Sequence, residues 1–141
     1  EAQLNASFDA LAAVVPGAAM QRYLTPTSIA SAWKLRKAGE PLLHSIPGDR
    51  KPLTFVEDTA VDPSQLLRFV NDFKAIVTRH GTTAAYYAHA SVGCLHIRPL
   101  VAIHDAKDRA IMVRIAKDIA ALVARYGGAR RARSVAEAMA A

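Results

Sequence analysis

Tyr86-Tyr87-Ala88-His89-Ala90-Ser91-Val92-Gly93-Cys94-Leu95-His96-Ile97-Arg98-Pro99-Leu100 is the stretch on which the reading of this chain turns. Two short β-like runs meet at Val92-Gly93. Taken as a two-residue hairpin loop, that dipeptide sets His89 directly opposite His96, and directly opposed residues have Cβ atoms roughly 4.5–5.5 Å apart. Two imidazoles at that spacing are within reach of one small cation. Strand side chains alternate between faces. One face therefore carries Tyr87, His89, Ser91, Cys94, His96 and Arg98, and the other Ala88, Ala90, Leu95 and Ile97. The second face reads as core and the first as a site. The residues alone leave two readings of the His pair open: metal ligands, or two histidines that meet at the edge of the core. Val-Gly is a poorer type I′ turn than Asn-Gly, so the register depends on the turn being two residues long.

Helices flank the hairpin. Asp62-Pro63-Ser64-Gln65 opens one of them, with Asp62 as cap, Pro63 in the first turn and Gln65 completing a capping-box-like pattern. Leu66, Val70, Phe73 and Val77 form its buried stripe, and His80-Gly81 closes it, with His80 favoured there by the helix dipole. After the hairpin a helix over 106–126 turns Ile111, Ile115, Leu122 and Tyr126 inward and stops at Gly127-Gly128. Upstream, Leu4, Phe8, Leu11 and Val15 recur with helical spacing over residues 4–15, and Pro16-Gly17 ends that helix. Residues 18–24 alternate as a strand does. Thr25-Pro26-Thr27-Ser28 starts a helix that runs to about Ala38, with Gly39 as its stop. Ile29, Trp33 and Arg36 share one face of it. Arg36 is either an edge residue with a buried stem or a guanidinium aimed at a carboxylate. Residues 40–52 read as a loop and Leu53–Val61 as a strand, at whose end Glu57 and Asp58 are either simple strand-end acids or metal ligands.

The resulting order is helix, strand, helix, strand, helix, strand, strand, helix. That is an α+β pattern, and a ferredoxin-like layout fits it, with a mainly antiparallel sheet and helices packed on one face. The other face would then be free to form a site. The 141 residues suit a single α+β domain over 1–128 followed by a basic Ala/Arg-rich tail over 129–141. The formal net charge is +6, much of it at Arg125, Arg130, Arg131 and Arg133. With no recognition helix and no RNP-type aromatic motif, that excess reads as a solvated surface rather than a nucleic-acid footprint. One cysteine, Cys94, admits no internal disulfide and fits a reducing, cytoplasmic setting. No run approaches the roughly 18–20 apolar residues of a membrane span, and no basic-then-apolar leader is visible.

Three segments together resemble the C-terminal domain of FAD-linked oxidases. They are Trp33-Lys34-Leu35-Arg36-Lys37-Ala38-Gly39, Lys51 through Val61, and the His89–His96 hairpin with its H-x6-H spacing. The likeness runs over roughly residues 18–128 and is nearest to large flavoproteins similar to D-2-hydroxyglutarate and D-lactate dehydrogenases, in which the domain is fused to an iron–sulfur region. The resemblance implies a substrate-binding cap that closes over FAD held mainly by a separate N-terminal domain. It implies that His89 and His96 hold a divalent metal, often zinc, and that Arg36 binds a substrate carboxylate. In such enzymes the metal acts as a Lewis acid on the hydroxyl of a 2-hydroxyacid while hydride passes to the flavin.

Two features depart from the family pattern. A Ser-Gly-Glu-His-Gly segment normally follows the last helix and brings a further metal ligand and a general base. Here Tyr126-Gly127-Gly128-Ala129 runs into Arg130-Arg131-Ala132-Arg133-Ser134. A flavin-binding domain has no room in 141 residues filled by this unit. The expectation is a domain that does not turn over substrate by itself. The alternative is a stand-alone ferredoxin-like module that binds or homo-oligomerises without catalysis.

Overall fold

In the computed structural model, which describes residues 2–130, the hairpin strands are β3 (Ala84–His89) and β4 (Cys94–Val101). In chain order the other elements are α1 (Ala2–Val14), α2 (Pro26–His44), β1 (Lys51–Pro52), β2 (Thr59–Ala60), α3 (Leu66–Arg79), α4 (Ala106–Arg125) and β5 (Ala129–Arg130). The chain divides between Pro41 and Leu42 into two compact units.

The second unit is built around β4. β3 runs antiparallel along one edge of it. On the other edge β1 pairs with Leu100 and Val101, and β2 pairs with Cys94 and Leu95, both antiparallel. β5 adds antiparallel to the outside of β2. The sheet is therefore mixed with helices in an α+β fold. β4 alternates without a break: Leu95, Ile97 and Val101 are buried, while Cys94, His96 and Arg98 are half-buried. The buried face meets Phe69, Phe73, Ile76 and Val77 of α3 and Met112, Ile115, Ile119, Leu122 and Val123 of α4. Phe69 sits edge-on to Phe73 and to Tyr126, with ring centroids 6.1 and 5.2 Å away.

Local chemistry accounts for most of these boundaries. Asp62 accepts from Ser64 N at 2.8 Å and caps a 3-10 turn, Pro63–Gln65, that leads into α3. Asp105 accepts from Lys107 N at 2.6 Å and caps α4. Of the expected α3 stripe, Phe73 and Val77 are buried and Leu66 and Val70 half-buried; Phe69 and Ile76 are buried too, as expected for a helix facing both a sheet and a second helix. His80 does more than sit at a helix end. Its Nε2 lies 2.7 Å from Asp118 Oδ2, and Arg79 Nη2 lies 2.9 Å from the same oxygen, tying the end of α3 to α4.

Several sequence expectations are corrected. Leu53–Val61 is not one strand. Within it only Thr59–Ala60 is strand, although Leu53 N also donates to Pro99 O at 3.1 Å; Asp58 adopts φ 57 and turns the backbone out of the extended region. Phe55 and Val56 are nevertheless buried in the core. Residues 129–130 form β5 rather than the start of a tail; 131–141 lie outside the described residues.

In the first unit, residues 18–24 form no strand. An ion pair from Arg22 Nη2 to Asp9 Oδ1 at 2.5 Å holds this segment to α1, and the Arg22 guanidinium lies 4.2 Å from the centre of the Phe8 ring. Thr25 and Ser28 cap α2 reciprocally: Ser28 N donates to Thr25 Oγ1 at 3.2 Å and Thr25 N donates to Ser28 Oγ at 3.1 Å. α2 does not stop at Gly39 but continues through Pro41 to His44, since glycine and proline penalise a helix without forbidding it. The stripe expected to face a core is open: Ile29 is 41% and Trp33 55% exposed. Among the described residues no helix is long and apolar enough to cross a membrane.

Candidate functional site

The hairpin turn is longer than two residues. Ala90–Val92 forms a 3-10 turn, and Gly93 follows with φ 67, donating its N–H to Ala90 O at 3.2 Å. A type I′ Val-Gly loop would put a β-branched residue at positive φ, which is strongly disfavoured. Here only the glycine takes that conformation. The consequence is a register two residues from the expected one: His89 is opposite Cys94, and Tyr87 is opposite His96. His89 and His96 are diagonal neighbours rather than direct partners.

A shift of two preserves the face assignments within the strands, because strand side chains have a period of two; Ala90 and Ser91, expected on the core and site faces, instead lie exposed in the 3-10 turn. Tyr87, His89, Cys94, His96 and Arg98 therefore share the face away from α3 and α4. Diagonal neighbours are still within reach of long side chains. The His89 and His96 rings lie edge to face with centroids 5.3 Å apart, and Tyr87 flanks both, 6.0 Å from His89 and 5.7 Å from His96.

The strand edge beyond β4 contributes two acids. Consecutive residues of an extended chain point to opposite faces, but the left-handed backbone at Asp58 breaks that alternation. Glu57 and Asp58 both reach the site face. Glu57 Oε1 pairs with Arg98 Nε, and Asp58 Oδ1 lies 3.0 Å from His96 Nδ1. Donor atoms of Asp58, Cys94 and His96 all lie within 4.8 Å of one another. That constellation contains one carboxylate, one thiol and one imidazole, a donor set suited to a transition metal or zinc.

Of the residues singled out from sequence, His89 and His96 are brought together and Arg36 lies on α2 in the first unit. There its guanidinium sits 5.6 Å from the centre of the Trp33 ring. Asp58 is the member that sequence reading left between a strand-end acid and a ligand, and Cys94 is one that it placed on the site face without a role. Nothing local to Glu57-Asp58-Thr59 announces a positive φ, although aspartate is one of the few residues that tolerates it.

A second cluster lies at the far end of β4. Arg50 donates from Nε and Nη2 to the two oxygens of Asp108 at 2.8 and 2.6 Å and from Nη1 to Gly81 O at 2.7 Å, and Asp108 also accepts from Ala102 N at 2.8 Å. The Arg50 guanidinium, followed by the Ala102 N–H, holds the Asp108 carboxyl below its ordinary range. A cleft of about 400 Å3 adjoins this pair. Because the charges there already satisfy one another, the cluster reads as a latch between loops rather than a binding site.

An α+β domain presenting paired histidines, a thiol and acids on a sheet face free of α3 and α4 is the class defined so far. The comparisons make it specific: residues 1–132 match the family described as FAD linked oxidases, C-terminal domain, and the chain belongs to that family. The chain is similar to proteins named D-2-hydroxyglutarate dehydrogenase. The one from Pantoea ananatis is 38% identical over 96 residues, covering 68% of this chain and 9% of the relative. That from Pseudomonas putida is 36% identical over 101 residues, covering 72% and 10%. That from Escherichia coli is 35% identical over 96 residues, covering 68% and 9%. The chain thus spans about a tenth of the length of the curated relatives it matches. No solved structure gives a significant match.

Proposed function

We propose that this chain is the substrate-side cap region of an FAD-dependent oxidoreductase that oxidises a D-2-hydroxyacid. The observation that carries the reading is the histidine pair, held 5.3 Å apart on a sheet face that α3 and α4 leave open. The name D-2-hydroxyglutarate dehydrogenase borne by the similar proteins supports it. FAD, named in the family, is the hydride acceptor of that chemistry and would be held by a part of the parent protein other than this region. The exposed apolar side chains Leu4, Leu11, Trp33 and Leu35 of the first unit support a role packed against such a part.

The residues present fit a divalent metal. Two imidazoles share one face, and imidazole nitrogen is a common ligand of zinc. His89 and His96 would hold the ion, which would supply a Lewis acid for the substrate's hydroxyl and carboxylate. Glu57 pairs with Arg98 Nε and so holds that guanidinium on the same face. Arg36 is assigned the binding of a substrate carboxylate, for which a planar guanidinium is well shaped. The order β5-β2-β4-β3, with α3 and α4 as crossovers, supports a ferredoxin-like arrangement of this region.

The test is a titration of the zinc-loaded chain with D-2-hydroxyglutarate, following the histidine ring resonances by NMR. Resonances of His89 and His96 are expected to move with the D-acid and to stay in place with a dicarboxylate of equal length lacking the hydroxyl. Equal responses to both compounds would mean that the face does not select a 2-hydroxyacid.

A further inference from the structure

We infer that Cys94 and Asp58 complete the metal site: in this chain the ion is bound through a thiolate and a carboxylate together with imidazole. The inference rests on the reading that the His89–His96 face holds a metal, and it names the remaining donors and the kind of ion.

Two imidazoles fall short of the three or four protein donors that a firmly bound zinc requires. The fold supplies the others from two strands. Cys94 is the first residue of β4 and stands directly opposite His89, so its sulfur lies on the same face as both rings. Asp58 arrives from the edge beyond β4, turned toward His96 by its positive φ, with Oδ1 3.0 Å from Nδ1. Ala60 pairs with Cys94 and Thr59 with Leu95, so the segment carrying Asp58 is anchored beside both β4 donors. The donor atoms of Asp58, Cys94 and His96 are already within 4.8 Å of one another. Ligands of a tetrahedral zinc, at about 2.0–2.3 Å from the ion, sit roughly 3.3–3.8 Å apart. Small side-chain rotations therefore bring all three donors to one ion.

The chemistry of the set selects its occupant. A thiolate is a soft ligand and an imidazole a borderline one, a combination that suits zinc or cobalt and disfavours magnesium, calcium and manganese, which prefer oxygen. The site face would then distinguish zinc from hard cations through Cys94 rather than through the histidines alone.

The full chain, stripped with a chelator, is titrated with Co2+ as a spectroscopic stand-in for zinc, beside Cys94→Ser and His96→Ala variants whose fold is checked by circular dichroism. The inference predicts a thiolate-to-cobalt charge-transfer band in the near ultraviolet for the unaltered chain, and no binding of Mg2+ at equal concentration. It predicts that Cys94→Ser abolishes the band and weakens zinc by more than about tenfold, equivalent to ~1.4 kcal/mol. Cobalt bound without that band in the unaltered chain would overturn the role of Cys94. If His96→Ala then still lost the ion, the histidine reading would stand without it. No Co2+ or Zn2+ binding by the unaltered chain would overturn both. Because the band is read on the unaltered chain, a Cys94→Ser variant that failed to fold would not rescue the inference.

Discussion

Gly93 answers to two demands. Its φ of 67 closes the hairpin, and its backbone lies so near β2 that an added Cβ would stand 1.8 Å from the carbonyl oxygen of Val61. Gly93→Ala is therefore expected to destabilise the chain by more than about 2 kcal/mol, combining left-handed strain with a backbone clash. Urea unfolding measures it, and a loss within about 0.5 kcal/mol would refute the geometry of the turn. Thr59 presents the opposite case. It is fully buried, and its hydroxyl has no hydrogen-bond partner among the described residues. Replacing an unsatisfied buried hydroxyl with a methyl removes a desolvation penalty of about 1–3 kcal/mol. Thr59→Val should leave stability unchanged or raise it, whereas a fall of more than about 1 kcal/mol in the same assay would show that the hydroxyl is bonded. At this scale the sequence was legible wherever alternation governed. His89, Cys94, His96 and Arg98 fell on one face and Leu95 and Ile97 on the other, and a two-residue slip in register left that sorting intact. Asp58 was not legible as a certain site member, because its place there depends on a single backbone torsion and on a strand partner distant in sequence.

The elements that could be read were those whose signals are local. The cap at Asp62 and the stripes of α3 and α4 follow from neighbouring residues. Where tertiary context decided, the reading failed: the alternation over 18–24 pairs with no strand among the described residues, and α2 ran past its glycine. The latch at the far end of β4 also escaped notice, since Arg50 and Asp108 are 58 positions apart. It joins the loop before β1, the turn after α3 and the first turn of α4. Arg50→Ala would leave the buried Asp108 carboxylate with the Ala102 N–H alone. We expect a loss of about 2 kcal/mol, less than for a fully buried pair because the Arg50 side chain is 40% exposed. The Asp108 pKa is depressed in the folded chain, first by the Arg50 guanidinium and then by the Ala102 amide. The unfolded chain therefore binds this proton more readily. The latch contributes fully above the ordinary carboxylate range, near pH ~4, and its contribution is lost as pH falls through the depressed folded value. Asp118, lowered first by His80, adds in the same direction. Urea midpoints measured between neutral pH and pH ~3 should fall steeply for the unaltered chain and less steeply for Asp108→Asn. Parallel curves would contradict the assignment.

At the scale of the whole molecule, the buried side chains of the core all belong to the unit that begins at Leu42. Among the described residues, 2–41 contribute none. A chain shortened to residues 42–141 should keep a cooperative unfolding transition, with a midpoint close to that of the full chain. A broad, noncooperative transition would show that the first unit is needed to hold the core together. The family is legible across both units, since its match runs over residues 1–132, but the residues proposed for chemistry divide between them, with Arg36 in the first and His89 and His96 in the second. The proposed chemistry depends on whether the sheet face of the second unit binds a metal. Calorimetric titration of the full chain with zinc, beside a His89→Ala/His96→Ala double variant, asks this directly. Binding at micromolar affinity or tighter that the double variant loses is the predicted result. Equal, weak binding by both chains would contradict a metal site on this face.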